Sequence, residues 1–129
     1  MLSDQNLCLL DVGFIERHFG GDALFLQLIV QSYQKTWKAT LVELRESFRS
    51  GNKAAFANSI HKLKGSTVNF GQGDFVDKLN EIEHAARDKG EFIVDDREIE
   101  LIEQQLVQLT ARLSDLVKEW SSPPYAGAL

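Results

Sequence analysis

At 129 residues, with 43% hydrophobic residues and no glycine- or proline-rich divide, the chain is long enough to bury one core. Its formal net charge is −5, whereas proteins that bind a nucleic-acid phosphate backbone have an excess of basic residues. We therefore expect no nucleic-acid partner. Residues 1–4 lack the pattern of a signal peptide, the single cysteine is Cys8, and no apolar run reaches membrane-spanning length. These features predict a cytoplasmic protein without a membrane segment.

Helix start and stop signals recur along the chain, and no long stretch alternates with the period of a strand. A short first helix is predicted to start after Asp11 and to end at Gly20 and Gly21. Asp22 is predicted to cap a second helix that ends at Gly51. At 1.5 Å per residue this helix would be about 40 Å long.

The second half of the chain contains three more predicted helices. Asn52 caps the third helix, which ends near Gly71. Asp74 caps the fourth, which Gly90 closes. Asp95 begins a capping-box pattern for the last helix, which ends at a Ser-Ser-Pro-Pro sequence. Short loops between such helices make neighbours antiparallel.

These elements predict an all-α fold, an antiparallel up-down four-helix bundle with a short extra N-terminal helix. Residues 1–120 are expected to form a single domain. Residues 121–129 have too little apolar surface to bury, and we expect them to be a flexible C-terminal tail.

The third helix contains the sequence HKLKG at residues 61–65. Residues three and four apart share a helix face, so His61, Lys64, Gly65 and Val68 form one strip. An apolar strip on the same helix comprises Phe56, Ile60, Leu63, Thr67 and Phe70. Its centre lies roughly 140° from His61, which therefore points outward. A glycine inside a helix lowers stability by about 1 kcal/mol relative to alanine, so the presence of Gly65 calls for a functional or structural explanation.

The residues His61, Leu63, Lys64 and Gly65, with Gly71 six residues after Gly65, resemble the H-x-L-K-G-x5-G signature of histidine-containing phosphotransfer (HPt) domains. The resemblance covers most of the chain, because that family's fold is a four-helix bundle with the motif on the second long helix. It implies that His61 accepts a phosphoryl group from an aspartyl phosphate on a receiver domain, or from a kinase. His61 would then pass the group to another receiver of a two-component phosphorelay.

The expected phosphoryl transfer requires only a nucleophile, a positive charge and an accessible surface from this chain. A free imidazole has a pKa of about 6.5 and is a nucleophile at neutral pH without a base to activate it. Lys64 would neutralise charge on the phosphoryl group, and Gly65 would let the partner's loops approach. The resemblance places the Mg²⁺ ion on the partner receiver. We therefore predict a phosphoryl carrier rather than an enzyme, without a cofactor, metal or ATP site of its own.

A residue on the fourth helix is predicted to contact the imidazole. Because the third and fourth helices are expected to run antiparallel, position 61 lies level with about position 84, so Glu83, His84 and Arg87 are predicted to lie near His61. In HPt relatives a glutamine or glutamate at the matching place hydrogen-bonds the imidazole. A bond from Nδ1–H to Glu83 would leave Nε2 as the nucleophile. The alternative is an ordinary exposed ion pair between Glu83 and Arg87.

The partners implied by the resemblance are response-regulator receiver domains and a sensor or hybrid histidine kinase, and the chain is expected to be a monomer. Small or accessible residues around His61 predict a docking surface for these partners. It comprises Ala57, Asn58, Val68 and Arg87. Lys62 points elsewhere on the helix and is interpreted as a solvated lysine.

Two other functions fit a helical bundle. Di-iron sites use Glu-x-x-His pairs, and Glu81 and His84 have this spacing. A second pair is absent, because neither His18 nor His61 follows a glutamate by three residues. A phosphorylation-independent docking module for a receiver or kinase is the better alternative. The presence of both His61 and Lys64 argues against it.

Overall fold

The computed structural model describes residues 11–71 and 73–122. Within these residues the chain is all-helical, without strands. The elements are α1 (Val12–Phe19), α2 (Ala23–Ser50), α3 (Lys53–Thr67), a 3₁₀ turn (Val68–Phe70), α4 (Asp74–Asp88) and α5 (Asp96–Trp120). No helix in these two ranges is both long and apolar enough to cross a membrane. Cys8 and the tail from residue 123 onward lie outside the described residues.

Four of the five predicted helix starts are confirmed. In each, the side-chain oxygen of the capping residue accepts a hydrogen bond of 2.9–3.0 Å from the backbone N–H three residues later. The capping residues are Asp11, Asp22, Asn52 and Asp95. Each bond satisfies a backbone N–H that has no partner inside the helix.

The predicted cap of the fourth helix is wrong. Gly73 occupies the N-cap position with extended backbone and no side-chain hydrogen bond, and Asp74 is the first residue of α4. The carboxylate of Asp74 instead adds negative charge to the first helical turn, where the helix dipole favours it. The third helix also ends earlier than predicted: α3 stops at Thr67, and the 3₁₀ turn continues the chain towards Gly71.

Packing in the core determines which face of α3 is buried and which is exposed. The predicted apolar strip of α3 is buried, with each of its members at most 3% exposed. Two buried hydrogen bonds tie α2 to its neighbours: the hydroxyl groups of Tyr33 and Thr67 lie 2.7 Å apart, and the Trp37 indole donates to Thr110 at 3.0 Å. Since α3 packs against α2 on one side and α4 on the other, one face of α3 remains exposed.

Candidate functional site

His61 stands on the exposed face of α3 with its ring turned towards α4. Its side chain is 62% exposed, and Nδ1 lies 3.0 Å from Oε2 and 3.3 Å from Oε1 of Glu83. Glu83 comes from the side of α4 that packs on α3, and its side chain is only 12% exposed. The contact therefore joins an accessible ring to a nearly buried carboxylate.

Glu83 is the centre of a polar cluster between α3 and α4. Oε1 accepts a hydrogen bond from Lys64 Nζ at 2.8 Å, and Oε2 accepts one from Arg87 at 3.3 Å. Both contacts that the sequence left as alternatives, Glu83 with His61 and Glu83 with Arg87, thus occur together. Lys64 Nζ also donates to Asn80 Oδ1 at 3.0 Å, and Arg87 donates to Asn58 Oδ1 at 3.1 Å.

The charge state of Glu83 assigns the proton in its contact with His61. Burial by itself raises the pKa of Glu83, but the hydrogen bond and charge of Lys64, followed by those of His61, lower it more. The net pKa lies below the ordinary value of 4.5, so Glu83 is ionised at neutral pH. An ionised carboxylate only accepts hydrogen bonds, so Nδ1 of His61 donates. In the neutral ring, Nε2 then carries the lone pair.

Gly65 lies one turn beyond His61 on the same exposed strip. Its backbone is not in the left-handed region, and a Cβ added to it would meet no atom within 4 Å. Neither backbone geometry nor packing within the described residues therefore requires a glycine at this position. A helical glycine in open space leaves room for a partner to come close to the neighbouring imidazole.

Gly71, the last glycine of the motif, has a structural role. Its φ of +123° lies in a region that other residues rarely adopt, and a Cβ there would come within 3.2 Å of Asp11 Cβ. The chain turns at Gly71, after the 3₁₀ turn that follows α3 and before α4 begins. Gly71 therefore allows the connection between the two helices that carry the cluster.

We expect Gly71→Ala to lower the free energy of unfolding by about 1–3 kcal/mol, because the added Cβ strains the backbone and crowds Asp11. Urea denaturation measures the change. Gly65→Ala is the matched control, since its helical backbone and open surroundings predict stabilisation of up to about 1 kcal/mol. Equal effects of the two substitutions would contradict the structural role of Gly71.

The predicted docking residues do not all lie on the surface. Ala57 is wrong as a docking contact, because it is fully buried and belongs to the hydrophobic core. An alanine side chain is one carbon long, so a helix packed alongside covers it, whereas Asn58 on the next position is exposed. Val68 is half-buried just after α3, and Arg87 is partly exposed and bound to Glu83 and Asn58.

The remaining charged residues near the cluster pair locally. Lys62 faces α2, where its Nζ lies 3.1 Å from Glu43, so it points away from Glu83 as predicted. His84 pairs with Asp88, and Glu81 with Lys78, so the two residues with di-iron spacing contact different partners. Within residues 11–71 and 73–122, no group of three or more His, Cys, Asp or Glu side chains is arranged to hold a metal ion.

Asn80 is a member of the cluster that the sequence pattern did not single out. A signal for it existed, because Asn80 precedes Glu83 by three residues and the two therefore share a face of α4. No family model, curated protein or solved structure was found to match the chain. The interpretation of the cluster therefore depends on its own geometry and on the motif.

We expect the lowered pKa of Glu83 to appear in the pH dependence of stability. A carboxylate with a lowered folded-state pKa stabilises the fold above its ordinary pKa, and this contribution is lost as the pH falls through the folded-state value. Glu83→Gln should therefore lower the free energy of unfolding by about 1–3 kcal/mol near pH 7. The difference from wild type should shrink as the pH falls below 4.5.

Urea denaturation at a series of pH values measures this difference without screening the charges. Glu81→Gln is the matched control, because Glu81 is an exposed carboxylate on the same helix and outside the cluster. We expect its effect to stay within about 0.5 kcal/mol at every pH. A Glu83→Gln effect that is the same at about pH 7 and about pH 3 would contradict the assigned pKa direction.

Proposed function

We propose that this protein is a histidine phosphotransfer protein of a two-component phosphorelay, with His61 as the phosphoryl acceptor. The single observation that carries the proposal is the state of the His61 ring. Nδ1 lies 3.0 Å from Oε2 of Glu83 while the ring remains 62% exposed. Because ionised Glu83 can only accept, Nδ1 donates this hydrogen bond, which leaves the lone pair of the neutral ring on Nε2. An accessible, oriented imidazole in the HPt sequence motif is the arrangement that phosphoryl transfer to nitrogen needs.

The fold proposed for this function is an antiparallel up-down four-helix bundle of α2 to α5, with α1 as the short additional helix. Packing of α2 against both α3 and α5, and of α3 against α4, supports this arrangement. The short connections from α2 to α3 and from α3 to α4 also favour antiparallel neighbours. In such a bundle the exposed face of α3 with His61 would be open to a receiver domain.

In the proposed reaction, the Nε2 lone pair attacks the phosphorus of an aspartyl phosphate on the receiver. The N–P bond forms as the bond from phosphorus to the aspartate oxygen breaks, and the aspartate leaves as a carboxylate. The ring keeps its Nδ1 proton and becomes positively charged. Glu83 accepts a hydrogen bond from that Nδ1–H, so its negative charge stabilises the charged ring. Transfer to a second receiver is the reverse of these steps.

Lys64 and Arg87 supply positive charge on either side of the carboxylate. Both contact Glu83, which in turn contacts His61, so the two cations remain near the ring. Phosphoryl transfer places negative charge on the equatorial oxygens, and nearby cations lower its energy. The proposal assigns the Mg²⁺ ion and the acidic residues of the reaction to the receiver, with which this protein would form a transient complex.

We expect Lys64→Ala to slow transfer about tenfold or more while weakening receiver binding much less, because the charge matters most when the phosphoryl group is moving. The test mixes the protein with purified receiver domains phosphorylated by acetyl phosphate and measures the rate and affinity separately. Lys62→Ala is the control, because Lys62 is a lysine on the same helix that pairs with α2 instead. If the two variants transferred equally fast, Lys64 would have no role in the reaction.

A further inference from the structure

The ammonium group of Lys64 is held by two acceptors on α4. Its Nζ donates to Oε1 of Glu83 at 2.8 Å and to Oδ1 of Asn80 at 3.0 Å. These bonds use two of its three N–H groups, and the third can donate to a further acceptor. The side chain is 25% exposed, so most of the stem is covered by its neighbours.

The contact with Glu83 alone does not hold the ammonium group of Lys64 in one position. Its Oε1 atom is shared between Lys64 and the His61 ring, and its Oε2 atom between His61 and Arg87. Three donors thus share one carboxylate. A lysine has a flexible four-carbon stem, so a single shared contact leaves its ammonium group several positions.

The amide oxygen of Asn80 supplies the second fixed point. Asn80 and Glu83 lie three residues apart on one face of α4, so together they define one position for the ammonium group. Because Asn80 is neutral, it holds Lys64 without adding a second negative charge to that of Glu83. An aspartate at this place would bind the ammonium more tightly but would leave two carboxylates beside one cation.

We infer that Asn80 is a positioning residue for phosphoryl transfer, which acts by holding the Lys64 ammonium beside His61. This inference rests on the proposed function. Catalysis of phosphoryl transfer depends mainly on the positioning of the reacting groups and on charge neutralisation. A lysine that is already held in place loses no further conformational entropy during the reaction. Asn80 is exposed on α4 and acts through Lys64, not on the ring itself.

Single-turnover transfer from a receiver domain, phosphorylated by acetyl phosphate, tests the inference. The receiver is one from which wild-type protein accepts phosphate at a measurable rate. We expect Asn80→Ala to slow transfer about three- to tenfold, with unchanged receiver affinity. Asn80→Asp should also slow transfer, because a second carboxylate beside Lys64 outweighs its positive charge. Gln104→Ala, which removes an exposed amide from α5, should leave the rate unchanged.

Two further measurements separate positioning from a purely structural effect. In a Lys64→Ala background, Asn80→Ala should have no further effect on the rate, because the group that it positions is gone. In ¹⁵N NMR spectra, the slowly exchanging ammonium signal of Lys64 should be lost in Asn80→Ala and kept in Gln104→Ala. Equal rates for wild type and Asn80→Ala, or the same slowing with and without Lys64, would overturn the inference.

Failure of the proposed function has a different signature. If wild-type protein accepts no phosphate from any phosphorylated receiver, then the phosphotransfer assignment fails, and the positioning role fails with it. If wild type is phosphorylated on His61 and the Asn80 variants transfer as fast as wild type, the phosphotransfer assignment stands. The positioning role alone is then wrong.

Discussion

His61→Gln should abolish phosphoryl acceptance while the protein stays folded. The ring is 62% exposed, so its packing contributes little. In the proposed reaction, Nε2 of this ring is the atom that forms the bond to phosphorus. Glutamine can still donate a hydrogen bond towards Glu83, but its amide nitrogen has no nucleophilic lone pair. We expect the melting temperature to remain within a few degrees of wild type, and labelling by a phosphorylated receiver to fall below detection.

His84→Gln is a closely matched control for this experiment. His84 is 59% exposed on the neighbouring helix, and its Nδ1 pairs with the carboxylate of Asp88. It differs from His61 in lying outside the HKLKG sequence and outside the Glu83 cluster. We expect full labelling of His84→Gln. Undiminished labelling of His61→Gln would show that His61 is not the acceptor. Loss of labelling in His84→Gln would show that the loss in His61→Gln does not identify the acceptor.

Gly65→Gln should raise stability and block transfer. A better helix former on an exposed helix adds roughly 0.5–1 kcal/mol to the free energy of unfolding, and the open space around Gly65 gives the new side chain no clash. The same side chain would stand beside His61, where the loops of a receiver would have to approach the phosphoryl group in the proposed reaction. We therefore expect a higher melting temperature, weaker receiver binding and a transfer rate reduced about 100-fold or more.

Two substitutions make the Gly65 result specific. Gly65→Ala should gain similar stability but lose less activity, because a methyl group blocks less of the approach. Ala111→Gln adds the same side-chain bulk at an exposed position of α5 and should leave transfer unchanged. Wild-type transfer rates in a stabilised Gly65→Gln protein would show that close approach at this position does not matter.

Local signals explain which parts of the fold could be predicted. The caps at Asp11, Asp22 and Asn52 depend on one side chain and one nearby backbone N–H, so the sequence alone locates them. The cap at Asp74 was mispredicted because Gly73, which has no side chain to signal a cap, occupies the position before it. Helix type and extent follow from the spacing of apolar residues, which the sequence displays directly.

Contacts between helices were harder to predict. The sequence left the pairing of Glu83 with His61 and its pairing with Arg87 as alternatives, and both contacts are present. The burial of Ala57 depends on how closely the neighbouring helices approach α3, which spacing along one helix does not reveal. The bond from Lys64 to Asn80 depends on the rotamer that a flexible lysine adopts. Sequence patterns therefore place residues on faces, whereas depth and side-chain direction need the packed structure.

The most direct measurement is to locate the phosphoryl group on the protein after incubation with a phosphorylated receiver domain. We predict one phosphoramidate on Nε2 of His61, visible by ³¹P and ¹⁵N NMR, labile in acid and persistent in base. An acid-stable label on a hydroxyl such as that of Ser66 would contradict this assignment. Tight receiver binding without any label would equally contradict it and would identify the protein as a docking module.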